Sequence, residues 1–442
     1  MSLAGLSNGV IVSYGGVSRH PVRELVNANI GAGPTVGQYV LPTTVMAFEG
    51  GRAVTLQDKI IADIYDEHRG FLPGERCTVD EVARHMEGSV KLDNISDEER
   101  LLLLSTLPRN AEQLWISQMD KGLSGSTVFA IRYSDTAGRH SKPFVAKIGE
   151  LIKIQSEDKA TRLFAAPYLP DIATPVCRRG ETLALIAQEL HGLNSQAQPE
   201  SLRNYMRKSD DGPAVVQRLL EERLYPWYSR SKAATSPISV GDLMTDYLRR
   251  GPTDIESVLP SGWDELTEWT RRIGGFGWAD VGSTVASVLA GTIDSPVSII
   301  HGDLHTQNVL VDTRSRECWP IDFAWCREDS SPLIDLAMLE CSLKFLAIPM
   351  RSDLRTLLAI EYRLATEPDP EPLTLSTPYS AEITRVIAAV AVLRNYVAAE
   401  LQVPFSEFRK ILLAMTYSLS SLEGLNRPFV IGSLQLLAGA AA

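Results

Sequence analysis

The sequence predicts an α+β protein in two lobes, the first small and β-rich, the second large and helical, with an N-terminal extension ahead of them. Two observations predict it. In residues 111–190 the runs QLWISQM, STVFAIRYS, PFVAKIG and TLALIAQEL are rich in β-branched and aromatic residues, with the turn-like KGLSG and SDTAGRHSK separating the first three. After His191-Gly192 the chain reads as mostly helical to the end, with an interruption at 299–325. Strands first and helices second is the order of an α+β fold. The expected boundaries are 1–110 for the extension, 111–192 for the β-rich lobe with its exit segment, and 193–442 for the helical lobe.

Taken in order, the first 50 residues mix GVIVSY and GQYVLPTTVMAF with Gly and Pro, and read as strands and turns. LQDKIIADIYDEH, TVDEVARHM and SDEERLLLLSTL carry helical spacing, and Ser96 with Glu99 fits a capping box. IKIQSEDKATRLFAA suits a helix and TLALIAQEL a buried strand. The interruption, IIHGDLHTQNVLVD to CWPIDFAW, places two short apolar strands between polar loops.

Composition excludes several classes. The 442 residues are 44% apolar and 22% charged, so the chain is not disordered throughout. A net charge of −11, from 43 basic and 54 acidic residues, argues against a broad nucleic-acid or anionic-membrane surface. No apolar run approaches the ~18 residues of a membrane span, and the N-terminus lacks the pattern of a secretory signal. Five scattered cysteines without C-x-x-C spacing point to a reducing, cytoplasmic setting.

The chemistry sits in His301-Gly302-Asp303-Leu304-His305-Thr306-Gln307-Asn308, followed by Ile321-Asp322-Phe323. Phosphoryl transfer from ATP needs a carboxylate for the attacking hydroxyl, hard oxygen ligands for Mg²⁺, and a cation on the phosphates. Asp303 and Asn308 stand five residues apart across a tight loop, and Asp322 lies nineteen beyond Asp303. A hairpin made from NVLVD and CWPIDF would bring all three to one edge. A zinc site at His301 and His305 is disfavoured, because they flank a loop and no third ligand presents itself. Cys318 and Cys326 flank Asp322 as a candidate redox pair, but only Arg327 is near enough in sequence to lower a thiol pKa.

HGDLHTQN followed by IDF resembles the catalytic and metal-binding loops of the aminoglycoside phosphotransferase and choline kinase group, within the protein-kinase-like fold. The resemblance implies that Asp303 is the catalytic base and that Asn308 and Asp322 are Mg²⁺ ligands. Asp335, on the helix after Pro332, is similar to an acidic residue that braces this loop in the family. Gly302, and His305 where protein kinases usually have lysine, favour small-molecule kinases. Ala324 replaces the familiar glycine, so no protein-kinase activation switch is expected.

The resemblance also implies an upstream nucleotide lobe. Gly122, Ser124, Gly125 and Ser126 would form a loop whose amides and hydroxyls approach the phosphates of ATP. Lys147, in FVAKI, would contact phosphate, the alternative being an edge-strand lysine in solvent. Glu157 is its expected partner, ahead of Glu150, with a solvated helix face as the alternative. The backbone of Gln188, Glu189 and Leu190 would bind the adenine edge, and His191 is read as a loop cap. The motifs cover about 111–345, and residues 1–110 match nothing, leaving them to regulate, dock a protein partner or dimerise.

The acceptor is left open. The resemblance implies that residues 195–297 and the C-terminal helices line its site, and Trp227, Trp263, Trp269 and Trp278 form either an aromatic box for a quaternary ammonium or ordinary core. Arg218, Arg223, Arg249, Arg250, Arg271 and Arg272 make the insertion basic in places. The expected function is ATP- and Mg²⁺-dependent transfer of the γ-phosphate to a hydroxyl of a small molecule. The alternative is a nucleotide-responsive module of a larger assembly, or a kinase acting on a protein.

Overall fold

The computed structural model describes residues 95–107, 111–118, 126–135, 137–169, 172, 175–189, 199–231, 235–249, 251–252, 264–273, 275, 278–366 and 379–441, with five short strands ahead of them. The chain divides into two units, one of residues 1–86, 91–114 and 133–139, the other of 87–90, 115–132 and 140–442.

In the first unit Leu3–Leu6 pairs antiparallel with Gly9–Ser13, which runs parallel to Met46–Glu49, itself antiparallel to Arg52–Thr55. The helix Asp97–Leu104 starts at the capping box. The Glu99 N–H donates to Ser96 Oγ at 3.3 Å, and the Ser96 N–H donates to Glu99 Oε2 at 2.8 Å. The helices expected at LQDKIIADIYDEH and TVDEVARHM lie outside the described residues, except Met86, which sits in the short strand Met86–Glu87.

The second unit opens on an antiparallel sheet. Phe144–Glu150 is flanked by Thr127–Asp135 and Leu183–Glu189, so Lys147 faces Val128 on one side and Ile186 on the other. Val176–Arg179 borders Leu183–Glu189. The helix Leu151–Ala160 follows the lysine strand directly, and its Ile154 packs on Ala184 and Ile186. A second apolar cluster joins Val145 to Leu310, Trp319 and Ile321, with Val128 against it. This cluster seats the sheet on the hairpin that carries the HGDLH and IDF motifs.

The rest of the unit is mostly helical and shares one apolar core. At its centre Pro332–Ser342 is buried along its whole length, packed between Phe405–Leu419 and Ala381–Ala399. A helix covered on all faces must satisfy its polar side chains internally. Glu340 does so with Arg394 at 2.6 Å and Lys344 at 3.3 Å, and Lys344 reaches Glu361 at 2.8 Å.

The mostly helical stretch after 193 also carries short strands. Pro199–Ser201 pairs with Val309–Asp312, Ser236–Ser239 with Thr292–Ser295, and Ser298–Ile300 with Arg327–Ser330. They are three or four residues long and partly polar, and their pairing comes from tertiary context rather than from pattern. No helix of the described residues is long and apolar enough to cross a membrane.

Candidate active site

The hairpin forms as its apolar strands require. Val309–Asp312 pairs with Cys318–Pro320, Leu310 opposite Trp319, with both strands buried. At its open end the Ile321 N–H donates to the Asn308 carbonyl at 2.9 Å, which sets the two motifs side by side. The loop before it is wound tightly. His305 N–H reaches the Asp303 carbonyl at 2.9 Å, and Asn308 N–H reaches the His305 carbonyl at 2.8 Å. Asn308 Nδ2 donates to that same Asp303 carbonyl at 2.9 Å, which leaves Oδ1 as the atom able to take a metal.

Lys147 meets this edge from the sheet. Its Nζ stands 2.6 Å from Asp322 Oδ1 and 2.8 Å from Glu157 Oε2, and Lys147 and Glu157 are both buried. Lys147 is thus an interior lysine of a central strand, not an edge residue in solvent. Glu150 is exposed and paired with Lys153 at 3.1 Å, and takes no part. Burial alone would depress the Lys147 ammonium, but the Glu157 and Asp322 charges outweigh it and hold the group above its ordinary range. Burial and the Asp322 charge lift the Glu157 carboxyl, against the pull of Lys147. One cation stands between two carboxylates, so the ionised set carries an excess negative charge.

Asp322 holds a left-handed backbone, φ 65°, a conformation rare outside glycine but tolerated by aspartate. Phe323 turns inward, its ring 5.2 Å from His301 and 6.0 Å from Trp227. His301 is fully buried and bonded at both nitrogens. Nε2 lies 2.9 Å from the Ile321 carbonyl, and Nδ1 accepts the Asp303 N–H at 3.3 Å. That pattern fixes the neutral Nε2–H tautomer, and burial depresses the ring to about 4.

Asp335 braces the loop from below. Its carboxylate accepts the His301 N–H at 2.8 Å, the Gly302 N–H at 2.7 Å and the Tyr228 hydroxyl at 2.8 Å. Sequence reasoning missed Tyr228 and Tyr247. Both lie on helices of the insertion, 75 and 56 residues before Asp303, and no motif marks them. Tyr247 donates to the Gly302 carbonyl and stacks on Trp325. Periodicity shows that such residues face inward, but not what they touch.

Other expected residues fall elsewhere. Gly122, Ser124, Gly125, Leu190 and His191 lie outside the described residues. Ser126 is buried against Gly149, while Gln188 and Glu189 pair with Val145 and Phe144 and are half-buried. Trp227 is core, its Nε1–H donating to the Phe164 carbonyl at 2.9 Å, and Trp269 is half-buried against the same core. Trp263, Arg250 and the Trp278 side chain lie outside the described residues. Arg218 and Arg223 reach Glu317 at 3.7 and 2.8 Å, Arg249 reaches Asp246 at 3.4 Å, and Arg272 reaches Glu268 at 3.2 Å. Much of the insertion's basic character is thereby neutralised locally. Burial pushes the Cys318 thiol to about 12 and also raises Cys326, which removes the basis for a redox pair around Asp322.

Asp322, Asn308 and the surplus negative charge suit a hard cation that takes its remaining ligands from phosphate and water. Among the described residues no three His, Cys, Asp or Glu side chains converge into a self-sufficient metal cage.

Residues 266–403 match the family model of ternary complex associated domain 9, a span that includes Asp303, Asn308, Asp322 and Asp335 but not Lys147. No curated protein sequence matches the chain. Its structural neighbours are aminoglycoside phosphotransferases and ethanolamine and choline kinases, at low identity. An aminoglycoside phosphotransferase from Streptomyces rimosus in complex with ADP and streptomycin is 16% identical over 62% of this chain and 94% of its own, TM-score 0.27. An ethanolamine kinase from Plasmodium vivax is 11% identical over 74% and 82%, TM-score 0.34. A choline kinase from Cryptosporidium parvum is 11% identical over 86% and 92%, TM-score 0.29. Overlaps of this extent carry no chemistry, and a functional reading rests on the side chains themselves.

Proposed function

We propose that this protein is an ATP- and Mg²⁺-dependent phosphotransferase that moves the γ-phosphoryl group to a hydroxyl of a small molecule. The observation that carries the reading is Lys147, a buried lysine of a central strand held between Glu157 and Asp322 beside the Asp303–Asn308 loop. A buried ammonium with two carboxylates is costly to maintain for packing alone. It is well placed to meet phosphate.

In this reading Glu157 orients Lys147 toward the nucleotide phosphates. Asp322 and Asn308 Oδ1 hold Mg²⁺, which when bound offsets phosphate charge. Asp303 accepts the acceptor's hydroxyl proton while the new P–O bond forms and the bond to the β,γ-bridging oxygen breaks. Its backbone is fixed from both sides, through His301 Nδ1 and Asn308 Nδ2. Catalysis is then positioning and electrostatics, without a covalent enzyme intermediate.

The test is a phosphorylation screen of hydroxyl metabolites and proteins with labelled ATP, comparing wild type with Asp303→Ala. The reading expects a labelled small molecule, and turnover lower by orders of magnitude in the variant with nucleotide affinity nearly intact. Wild-type turnover in the variant would remove Asp303 as base.

The match to ternary complex associated domain 9 favours a second reading, a nucleotide-responsive module within a larger assembly. Residues 1–110 would then serve a protein partner. Tight Mg²⁺-dependent ATP binding with no labelled product on either panel would select it, and a labelled protein would select a protein kinase.

A further inference from the structure

We propose that a cavity beside the strand leading to Asp322 is a regulatory site for a small organic anion with a branched aliphatic body, and that filling it tightens the hold on Mg·ATP. The site stands on its own geometry, while the effect on nucleotide rests on the phosphotransferase reading.

The cavity measures about 110 Å³. Leu169, Ile172, Trp319 and Pro320 wall it, and all four are buried. Water gains little in an apolar void, and the atoms lining it lack contacts that an apolar guest would supply. Apolar cavities of roughly 150 Å³ take a benzene ring, so this one suits a body of about four carbons.

The remaining lining is charged and reaches solvent through Glu222, Arg223 and Arg230. Two of these are committed to ion pairs. Arg223 stands 2.8 Å from Glu317, and Glu222 stands 3.4 Å from Arg218. Arg230 differs. Its Nη1 donates to the Tyr168 carbonyl at 3.1 Å, and among the described residues it meets no carboxylate. A guanidinium carries five N–H donors, so Arg230 keeps others for the carboxylate of a ligand. The surplus cation selects an anion, and the apolar walls select its tail.

Coupling follows from the elements to which the walls belong. Leu169 and Ile172 lie on the stretch that runs on from the Glu157 helix, the Leu169 N–H on the Ala165 carbonyl at 2.9 Å and the Ile172 N–H on the Leu169 carbonyl at 3.0 Å. Trp319 and Pro320 belong to the strand that ends two residues before Asp322. Arg230 belongs to the helix Tyr225–Ser231. Its Trp227 Nε1–H holds the Phe164 carbonyl at 2.9 Å, and its Tyr228 hydroxyl holds Asp335 at 2.8 Å. Glu157 and Asp322, the two partners of Lys147, thus sit on elements that meet again across the cavity. A guest touching both walls favours the arrangement that brings them together, and by linkage Mg·ATP favours the guest to the same degree.

The probe is isovalerate, an isobutyl body with one carboxylate. Isothermal titration of the full chain without nucleotide is expected to give saturable binding with a Kd of about 1 mM or tighter. Isovaleramide, the neutral isostere, and inorganic phosphate, the anion without a tail, should each bind at least ~10-fold more weakly. Arg230→Gln should lose a similar factor for isovalerate. Leu169→Phe, which fills the void, should abolish binding with its thermal melt unchanged or raised. Saturating isovalerate should lower the Kd for Mg·ATP about threefold, and saturating Mg·ATP should lower the Kd for isovalerate by the same factor.

No saturable isovalerate binding at roughly tenfold higher concentration overturns the site. So does equal affinity for isovaleramide, or undiminished binding in a folded Leu169→Phe. The amide comparison needs no variant and decides the case on the wild-type chain. Isovalerate binding with an unchanged Mg·ATP affinity overturns the coupling. Isovalerate binding by a protein that takes no Mg·ATP removes the phosphotransferase reading and leaves the site standing.

Discussion

Tyr247 donates its phenolic hydrogen to the carbonyl oxygen of Gly302, so a helix of the insertion holds the residue immediately before the proposed base. The same ring lies 6.1 Å from Trp325 at an interplanar angle of 30°. Arg327 also lies over the ring, 5.4 Å from the centroid, and reaches Asp246 at 3.1 Å. The Trp325 carbonyl in turn covers Gly302. The 246–247 stretch thus clasps the loop of Asp303 to the loop of Asp322.

That clasp requires glycine at 302. The backbone there has φ 80°, and an added Cβ would stand well inside contact distance of the Trp325 carbonyl oxygen. Gly424 shares the conformation, φ 83°, but has nothing within 4 Å of an added Cβ. Gly424→Ala should therefore cost only the left-handed penalty of about 1–2 kcal/mol. Gly302→Ala should cost ~3 kcal/mol or more and displace Trp325, lowering turnover as well as stability. Urea denaturation of both variants measures the difference, and equal costs would show that Trp325 yields easily.

The buried charges around Lys344 allow a second prediction. Lys344 is the cation on Glu361, whose carboxyl burial pushes up despite that pairing, while Glu340 is also held by Arg394. Lys344→Met should cost about 3–5 kcal/mol, because it leaves Glu361 buried without its counter-charge. Lys344→Met combined with Glu361→Gln should recover a large part of that loss. A double variant as unstable as the single one would mean that the lysine stem's packing, not charge, is what matters.

Acid sensitivity follows from His301. Burial depresses its ring from 6.5 to about 4, so between those values the unfolded chain binds a proton that the native protein refuses. Its contribution to stability is whole above pH 6.5 and falls as pH drops toward 4, by at most about 1.4 kcal/mol per unit. Asp335 runs the other way. Burial lifts it from 3.8 to about 6, so across that window the native state binds the extra proton and gains stability as pH falls. The Asp322 charge favours the protonated ring, and His305 and Lys147 oppose it. His301→Gln removes the imidazole alone, so wild type should lose stability relative to the variant between pH 6.5 and 4.5. Parallel stability curves for the two across that range would contradict a neutral buried His301.

The order of elements was legible because long strands and helices repeat their pattern over many residues. The hairpin was legible too, since NVLVD and CWP are apolar runs at a fixed distance from Asp303. Glu157 rather than Glu150 at Lys147 follows from chain geometry, because Glu150 ends the lysine strand and Glu157 lies two turns into the next helix. The short strands REDS and PES were not legible, as three or four polar residues carry no period. Nor were Tyr228 and Tyr247, whose partners depend on how the insertion folds back over the loop. Four tryptophans at helical spacing gave no means of separating Trp227, which packs against His301 and Phe323, from a ligand box.

The metal pair supplies the last prediction. Asp322 brings a full negative charge to the site and Asn308 only an amide dipole, so a hard cation should depend more on the carboxylate. Asp322 is also bonded to Lys147 at 2.6 Å, and its loss would leave the ammonium with Glu157 alone. Asp322→Asn should weaken Mg·ATP binding by ~10-fold or more, and Asn308→Ala by less. Without Mg²⁺, nucleotide affinity should change little in either variant, because Lys147 is still present to meet phosphate. Isothermal titration of both proteins with ATP, with and without Mg²⁺, reads these four affinities directly. If Asp322→Asn bound Mg·ATP as tightly as wild type, Asp322 would be holding Lys147 and the loop rather than the metal.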